Sequence, residues 1–185
     1  MPSPAAPPSR RTLVIGGARS GKSGHAEGIA SADGSAVRYI ATARRRGDDA
    51  DFEQRISAHR DRRPANWTVV ESSETSLPEL LRESCDATTL VDDIGTWLTV
   101  VIDDAGAWER PRGSVAPHTD ALISAVADHR GRLVIVSPEV GQGVIPASAS
   151  GRLFRDELGN LNQRLAAECD EVLFVVAGLP LRLKG

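Results

Sequence analysis

The stretch that decides the fold covers residues 12–23 and reads T-L-V-I-G-G-A-R-S-G-K-S. Its four leading residues form a mostly apolar run that predicts a short buried strand, and the pattern of residues 22–30 predicts a helix. The loop between them fits G-x-x-x-x-G-K-[ST], the pattern of a loop that wraps phosphate groups. A glycine-rich turn without a ligand is the alternative, but a strand before the loop and a helix after it favour phosphate binding.

Each residue type in this phosphate loop (residues 16–23) has a physical reason. Glycines let the backbone curl so that several N–H groups face one anion, and the helix that follows directs the positive end of its dipole at the same anion. Lys22 is expected to reach the β- and γ-phosphates, and the Ser23 hydroxyl is expected to ligate Mg²⁺. The sequence therefore predicts a site for a nucleoside triphosphate.

The composition limits the class of protein. The chain has 185 residues, a length typical of one domain. Residues 1–11 hold four prolines and two arginines and predict a disordered tail, which leaves residues 12–185 as one nucleotide-binding domain. A net charge of −3 and 4% aromatic residues argue against a nucleic-acid partner. Cys85 and Cys169 are isolated, as expected in a reducing cytoplasm, and no apolar run reaches the roughly 18 residues of a membrane span.

Short apolar strands alternate with longer helical patterns along the chain, which is typical of βαβ units and a mostly parallel sheet. We therefore predict an α/β fold like that of P-loop NTPases, with a central sheet flanked by helices and a C-terminal antiparallel edge strand. After the first helix, the predicted strands are residues 37–41, 67–71, 87–92, 133–137, 171–176 and 181–183. The predicted helices are residues 49–60, 76–84, 94–103, 120–130 and 149–168, with a loop over residues 105–117.

Two acidic residues end the fourth strand. A carboxylate in this position near a phosphate loop is the usual partner of Mg²⁺, and we assign that role to Asp92. Asp93 directly precedes a predicted helix, so we interpret it as the cap of that helix.

A histidine surrounded by arginines forms the second candidate site. His59 lies in A-H-R-D-R-R-P, and guanidinium groups suit the oxygens of a phosphate. His59 could be a nucleophile toward phosphorus, which would form a phosphoramidate. On the residues alone, a packing role beside Phe52 and Ile56 on the same helix face is the stronger alternative, and the arginines could form a solvated surface.

Several segments, in this order, resemble the adenosylcobinamide kinase/adenosylcobinamide-phosphate guanylyltransferase family. The resemblance runs from about Thr12 to Lys184. The segments that carry it are the phosphate loop, Y-I-A-T at residues 39–42, R-I-x-x-H-R at 55–60 with R-P at 63–64 and Trp67, E-V-G-Q-G-V-I-P at 139–146, F-R-D-E-L-G-N-L-N-Q at 154–163, D-E-V at 170–172 and G-L-P at 178–180.

The resemblance implies two reactions of cobalamin biosynthesis. ATP or GTP phosphorylates the aminopropanol hydroxyl of adenosylcobinamide, and GTP then transfers GMP to that phosphate through a guanylylated histidine, which matches His59. The family is also taken to be homotrimeric and to bind a corrinoid as its second substrate. The nucleotide-binding positions that match are Gly16, Gly17, Ala18, Arg19, Ser20, Gly21, Lys22, Ser23, Ala41, Thr42, Ala43, Arg60, Asp61, Arg62, Arg63, Glu71 and Asp92, with Ser23 and Asp92 on the metal side.

Two other functions remain as alternatives. A simple P-loop kinase of small molecules would lack nucleotidyl transfer and would leave His59 as a packing residue. A P-loop NTPase acting as a switch or a nucleic-acid motor is the alternative from another class, but the acidic charge balance and the missing N-K-x-D motif argue against it.

Overall fold

A computed structural model of the chain describes residues 11–44, 66–73, 75–83 and 85–185. The predicted helix over residues 49–60 and all but the last residue of the predicted tail lie outside these ranges. Arg11 does not belong to a tail: it begins the first strand, where it pairs with Leu133, and its backbone N–H donates to Asp170 Oδ2 at 2.8 Å. The boundary of the domain therefore lies at least one residue earlier than predicted.

The described residues form one seven-stranded sheet in the order β3-β2-β4-β5-β1-β6-β7, and every neighbouring pair is parallel except β6 and β7. This confirms the predicted fold class and the antiparallel edge strand. The strands are β1 Arg11–Gly16, β2 Val37–Ala41, β3 Trp67–Glu71, β4 Thr88–Asp92, β5 Leu133–Pro138, β6 Glu171–Val176 and β7 Leu179–Lys184. The helices are α1 Lys22–Ser31, α2 Leu77–Arg82, α3 Ile94–Asp104, α4 Ala116–Asp128 and α5 Ala149–Glu168.

Successive residues of each strand point to opposite faces of the sheet, and helices cover both of these faces. Leu13 packs in a core with buried residues of α2, α3, α4 and α5, such as Leu81, Ile102 and Leu122. The next residue, Val14, packs on the other face with Ala26 and other small residues of α1. The near-continuous apolar runs of β1 and β5 follow from this burial on both faces.

Many element boundaries differ from the prediction, most of them by one or two residues, and two of the differences have a clear physical reason. Helix α4 begins at Ala116, within the predicted loop, because Pro117 lies in its first turn, where a missing N–H costs no intrahelical hydrogen bond. Strand β7 begins at Leu179, since the chain reverses at Ala177 and Gly178, whose φ angles are 51° and 79°. Pro180 is accommodated within β7 because that strand forms an edge of the sheet.

The carboxyl ends of the parallel strands place the phosphate loop. Strand β1 lies between β5 and β6, so that Gly16 is level with Pro138 on one side and Val175 on the other. The loop therefore leaves the middle of this edge, where α/β proteins bind ligands. In the part of the chain that the structure describes, no helix combines the length and the apolar character needed to cross a membrane.

Candidate functional site

The phosphate loop turns sharply into α1. Gly21 is the N-cap of α1 with a φ of 92°, and Arg19 has a φ of 55°. This left-handed backbone is one that glycine adopts without steric cost. The backbone N–H of His25 donates to Gly21 O at 3.0 Å, and Lys22 Nζ donates to Gly17 O at 3.3 Å. Lys22 therefore lies against the loop itself, and its contact with phosphates stays a prediction.

Backbone from both neighbouring strands holds the loop in place. Glu139, just after β5, donates its N–H to Gly16 O at 2.9 Å, and Gly178 in the β6–β7 turn donates its N–H to Ser20 O at 2.8 Å. Gly16 is also packed tightly: a Cβ on this residue would lie 2.6 Å from Val175 O and 2.5 Å from Ser20 Oγ. The sequence motifs did not predict that Gly178 supports the phosphate loop. Gly178 does belong to G-L-P at residues 178–180, one of the segments that carry the family resemblance.

Asp92 and Ser23, the two residues predicted on the metal side, form a hydrogen bond with each other. The Ser23 hydroxyl, in the first turn of α1, donates to Asp92 Oδ1 at 3.4 Å. The other carboxylate oxygen, Oδ2, accepts a hydrogen bond of 3.0 Å from the Tyr39 hydroxyl. A hydroxyl and a carboxylate are oxygen ligands of the kind that Mg²⁺ takes, so these residues fit the metal that a P-loop implies.

The residue after Asp92 has a structural role. Asp93 is the N-cap of α3, and its Oδ1 accepts the Thr96 N–H at 2.7 Å, which confirms the predicted cap. Thr42 holds the same corner: its hydroxyl donates to Asp93 O at 2.7 Å and accepts the Asp93 N–H at 3.0 Å. The side chain of Thr42 is therefore directed at the β4–α3 corner.

The predicted nucleotide positions on the other strands lie side by side. Ala41, the last residue of β2, pairs with Glu71 at the end of β3 and with Asp92 at the end of β4. Ala43 follows as a half-buried residue of the chain that leaves β2. The structure thus brings together the phosphate loop, Ser23 and Asp92, and it places Ala41 and Glu71 on adjoining strands of the same edge.

The histidine and its arginines lie outside the described residues. His59 and residues 60–63 belong to a segment whose two ends are described. On the amino-terminal side, Arg44 forms a two-point ion pair with Asp104, at 2.7 and 2.8 Å. On the carboxyl-terminal side, the Trp67 ring stacks on Tyr39 with a centroid distance of 6.1 Å.

The loop after β5 is fixed by the long helix. Asn162 on α5 is buried; its Nδ2 donates to Pro138 O at 3.0 Å, and its Oδ1 accepts the Ser137 hydroxyl at 2.5 Å. Arg155, about two turns earlier on the same side of α5, donates to Gly141 O at 2.9 Å. The segment F-R-D-E-L-G-N-L-N-Q therefore supports the end of β5 next to the phosphate loop, a role that its residue types alone do not indicate.

Two of the solved structures that share this fold are ATPases of secretion systems. A prototypical ATPase from the type III secretion system of pathogenic bacteria aligns with a TM-score of 0.55 and 13% identity, over 94% of this chain and 56% of that chain. EscN, the assembled ATPase of that system in enteropathogenic E. coli, aligns with a TM-score of 0.53 and 13% identity, over 91% of this chain and 43% of that chain. This chain spans about half the length of either ATPase, and at this identity the likeness shows the fold alone.

Sequence comparison gives the family. The bifunctional adenosylcobalamin biosynthesis protein CobP of Pseudomonas aeruginosa is 41% identical over 179 residues, which cover 95% of this chain and 98% of that protein. The bifunctional adenosylcobalamin biosynthesis proteins CobU of Escherichia coli and Salmonella typhimurium are each 36% identical over 182 residues, which cover 93% of this chain and 98% of each relative. The CobU family model, described as cobinamide kinase/cobinamide phosphate guanyltransferase, matches residues 12–183. With a phosphate loop, a facing strand-end aspartate and this match over nearly its whole length, the chain belongs to the CobU family.

Proposed function

We propose that this protein carries out two successive steps of cobalamin biosynthesis. In the first, ATP or GTP phosphorylates the aminopropanol hydroxyl of adenosylcobinamide. In the second, GTP transfers GMP to the resulting phosphate, which gives adenosylcobinamide-GDP and pyrophosphate. The observation that carries the proposal is the meeting of Ser23 and Asp92 beside the phosphate loop, in a chain of the CobU family.

The kinase step depends on position and on charge neutralisation. Lys22 and the backbone N–H groups of the phosphate loop would hold the transferred γ-phosphoryl group. Ser23 and Asp92 are the residues that would hold Mg²⁺, which supplies positive charge to the phosphates when it is bound. The corrinoid hydroxyl attacks the γ-phosphorus, the bond to the β-phosphate oxygen breaks, and the hydroxyl proton leaves to solvent.

The guanylyl step requires a nucleophile on the protein, and we assign it to His59. The neutral imidazole attacks the α-phosphorus of GTP, a P–N bond forms, and pyrophosphate leaves. An oxygen of the corrinoid phosphate then attacks the same phosphorus and breaks the P–N bond. Arg60, Asp61, Arg62 and Arg63 would lie at the nucleotide, and the arginines would favour the uncharged imidazole and stabilise the charge of the crowded phosphorus.

The experiment labels the protein with α-labelled GTP in the presence of Mg²⁺. Wild type should retain an acid-labile label with release of pyrophosphate, and His59→Ala should retain none. His118→Ala is the matched control, because His118 is an exposed histidine on α4 and should leave labelling unchanged. Wild type without label, or His59→Ala with full label, contradicts the assignment.

The products separate this function from its alternatives. A simple kinase would phosphorylate adenosylcobinamide but release no pyrophosphate from GTP, and a switch or motor would release free phosphate without any corrinoid. Adenosylcobinamide phosphate mixed with GTP should instead yield pyrophosphate in proportion to adenosylcobinamide-GDP. The family match favours this outcome.

Assembly and location complete the proposal. The family resemblance implies a homotrimer, and the use of ATP and GTP favours the cytoplasm. Light scattering after gel filtration should give a mass about three times that of the 19.7 kDa chain. A mass equal to one chain at working concentration contradicts the trimer.

A further inference from the structure

We propose that Tyr39 is a positioning residue for Asp92: its hydroxyl holds one carboxylate oxygen so that the other is directed at Ser23 and at the nucleotide-bound metal. This inference rests on the proposed Mg²⁺ site and adds to it a residue outside the phosphate loop and outside the strand-end positions. Tyr39 itself would touch neither the nucleotide nor the metal.

The two oxygens of the Asp92 carboxylate have different partners. Oδ2 accepts from the Tyr39 hydroxyl at 3.0 Å, whereas Oδ1 accepts from the Ser23 hydroxyl at 3.4 Å. A hydrogen bond from a neutral donor to an ionised acceptor is stronger than one between neutral groups. Both contacts to Asp92 are of this kind, so the shorter one, at Oδ2, is the stronger of the two and restrains the rotation of the carboxylate plane, and with it the place of Oδ1.

The sheet register explains why Tyr39 reaches this carboxylate. Tyr39 pairs with Leu90 on the neighbouring strand β4, and Ala41, two residues later, pairs with Asp92. Tyr39 and Asp92 therefore point to the same face of the sheet and are diagonal neighbours, which is within reach of an aromatic side chain. This face is the one covered by α1, and Ser23 belongs to the first turn of that helix.

Packing makes the Tyr39 hydroxyl a fixed donor. The side chain is 4% exposed, and its ring stacks on Trp67 with planes inclined by 29°. Aromatic pairs of this kind restrict the ring, so the hydroxyl loses little further freedom when it donates to Asp92. A rigid donor of this type is what orients a metal ligand in proteins.

The expected size of the effect follows from the demands of the metal. Mg²⁺ requires near-ideal octahedral geometry at short distances and tolerates poorly placed ligands badly. Removing a group that orients a metal ligand commonly weakens metal binding by about 10- to 100-fold. We therefore expect Tyr39→Phe, which keeps the ring and its stacking, to weaken metal binding by about 10-fold.

The experiment measures metal affinity without turnover. Wild type and Tyr39→Phe are saturated with a non-hydrolysable GTP analogue, and Mn²⁺ is titrated into each while free Mn²⁺ is followed by electron paramagnetic resonance. Affinity for the same analogue in EDTA is measured by calorimetry. Tyr39→Phe should bind Mn²⁺ about 10-fold more weakly, with metal-free affinity for the analogue unchanged.

Thr12→Val is the matched control, because it also removes a buried hydroxyl that donates to a carboxylate, that of Glu171 at 3.4 Å, at the far end of the parallel strands. Its Mn²⁺ affinity should equal that of wild type. The inference is overturned if Tyr39→Phe and wild type bind Mn²⁺ with equal affinity. It is also overturned if Tyr39→Phe loses affinity for the analogue equally with and without metal, because that result indicates a purely structural role.

The proposed function is tested separately. If wild type binds no Mn²⁺ in the presence of the analogue, the proposed metal site and this inference both fail. Guanylylation of His59 is measured independently, by the labelling experiment. If wild type binds Mn²⁺ and only the difference between the two proteins is missing, the inference about Tyr39 fails alone.

Discussion

The hydroxyl of Ser23 donates to Asp92 Oδ1 across 3.4 Å, although 69 positions separate the two residues in the chain. Ser23 lies in the first turn of α1, the helix that follows strand β1, and Asp92 ends β4, with β5 between the two strands. The contact exists because α1 runs back across the face of the sheet and packs on both β4 and β5. Two distant parts of the sequence thus supply the oxygen atoms of the proposed metal site.

Asp92 and Asp93 are adjacent but should respond differently to loss of charge. Asp92→Asn removes a negative charge from the proposed metal site and should lower the rate of both reactions by about 100-fold. Asp93→Asn should leave the rates within about twofold, because asparagine caps a helix as well as aspartate does. The measurements are phosphorylation of adenosylcobinamide and release of pyrophosphate from GTP, each over a series of Mg²⁺ concentrations.

Excess Mg²⁺ should partly restore Asp92→Asn, since weaker binding is offset by concentration. Equal losses in the two variants would contradict the separate roles of ligand and helix cap.

Gly16 should tolerate no side chain. A Cβ there would lie 2.6 Å from Val175 O, which is backbone of a buried strand and has no room to move. Gly16→Ala should lower the free energy of unfolding by about 1–3 kcal/mol and weaken GTP binding, because the loop must shift. Urea denaturation and calorimetry with GTP measure the two effects.

Gly28→Ala is the matched control in α1. A Cβ at Gly28 would meet no described atom within 4 Å, so the variant should gain about 0.5–1 kcal/mol of stability from the higher helix propensity of alanine. If Gly16→Ala were as stable as wild type and bound GTP normally, the close packing under the loop would have no energetic consequence.

Much of the fold could be predicted because its signals are local. Each of the strands β2, β3 and β6 has the predicted bounds, since a short apolar or β-branched run with turn residues on both sides describes it. The same holds for α5, from Ala149 to Glu168. The phosphate loop is local too, because strand, glycine turn and helix follow one another in one stretch.

The rest depends on which strands become neighbours, and that is a property of the whole chain. Nothing near Tyr39 indicates that its hydroxyl meets Asp92, because the contact arises from the pairing of β2 with β4. The support of Ser20 by Gly178 likewise arises from the position of β6 beside β1. The start of α4 was predicted wrongly for a different reason. Proline disrupts the interior of a helix but is tolerated in its first turn, where Pro117 lies.

The two cysteines should differ in reactivity. Burial raises the pKa of the Cys169 thiol from 9.0 to about 12, so the folded protein keeps this thiol protonated and unreactive at mildly alkaline pH. Cys85 is partly exposed and should react first with iodoacetamide. Mass spectrometry of the native protein should show one alkylated cysteine, and Cys85→Ser should show none until guanidinium unfolds it.

The same shift gives a stability prediction. An unfolded chain loses the Cys169 proton above pH 9, whereas the folded chain retains it up to about pH 12. The contribution of this thiol to stability is therefore complete below pH 9 and falls as the pH rises above it. Cys169→Ala should abolish that part of the pH dependence, and an unchanged alkaline slope would contradict it.

Gly178 should matter for nucleotide binding as well as for stability. Its φ of 79° strains any residue with a Cβ, so Gly178→Ala should cost about 1–2 kcal/mol. The N–H of Gly178 holds Ser20 O at 2.8 Å, so strain at this turn should also displace the phosphate loop and raise the KM for GTP. Thermal unfolding and initial rates over a range of GTP concentrations measure the two effects.

Gly34→Ala separates the two effects. Gly34 has a similar φ of 72° and lies just beyond the C-terminal end of α1, away from the phosphate loop. A Cβ added at Gly34 would meet no described atom within 4 Å. It should therefore lose a similar amount of stability while its KM for GTP stays at the wild-type value. If both variants raised KM equally, general loss of stability would explain the effect; if only Gly178→Ala raised it, the β6–β7 turn acts on the nucleotide through its hydrogen bond to Ser20.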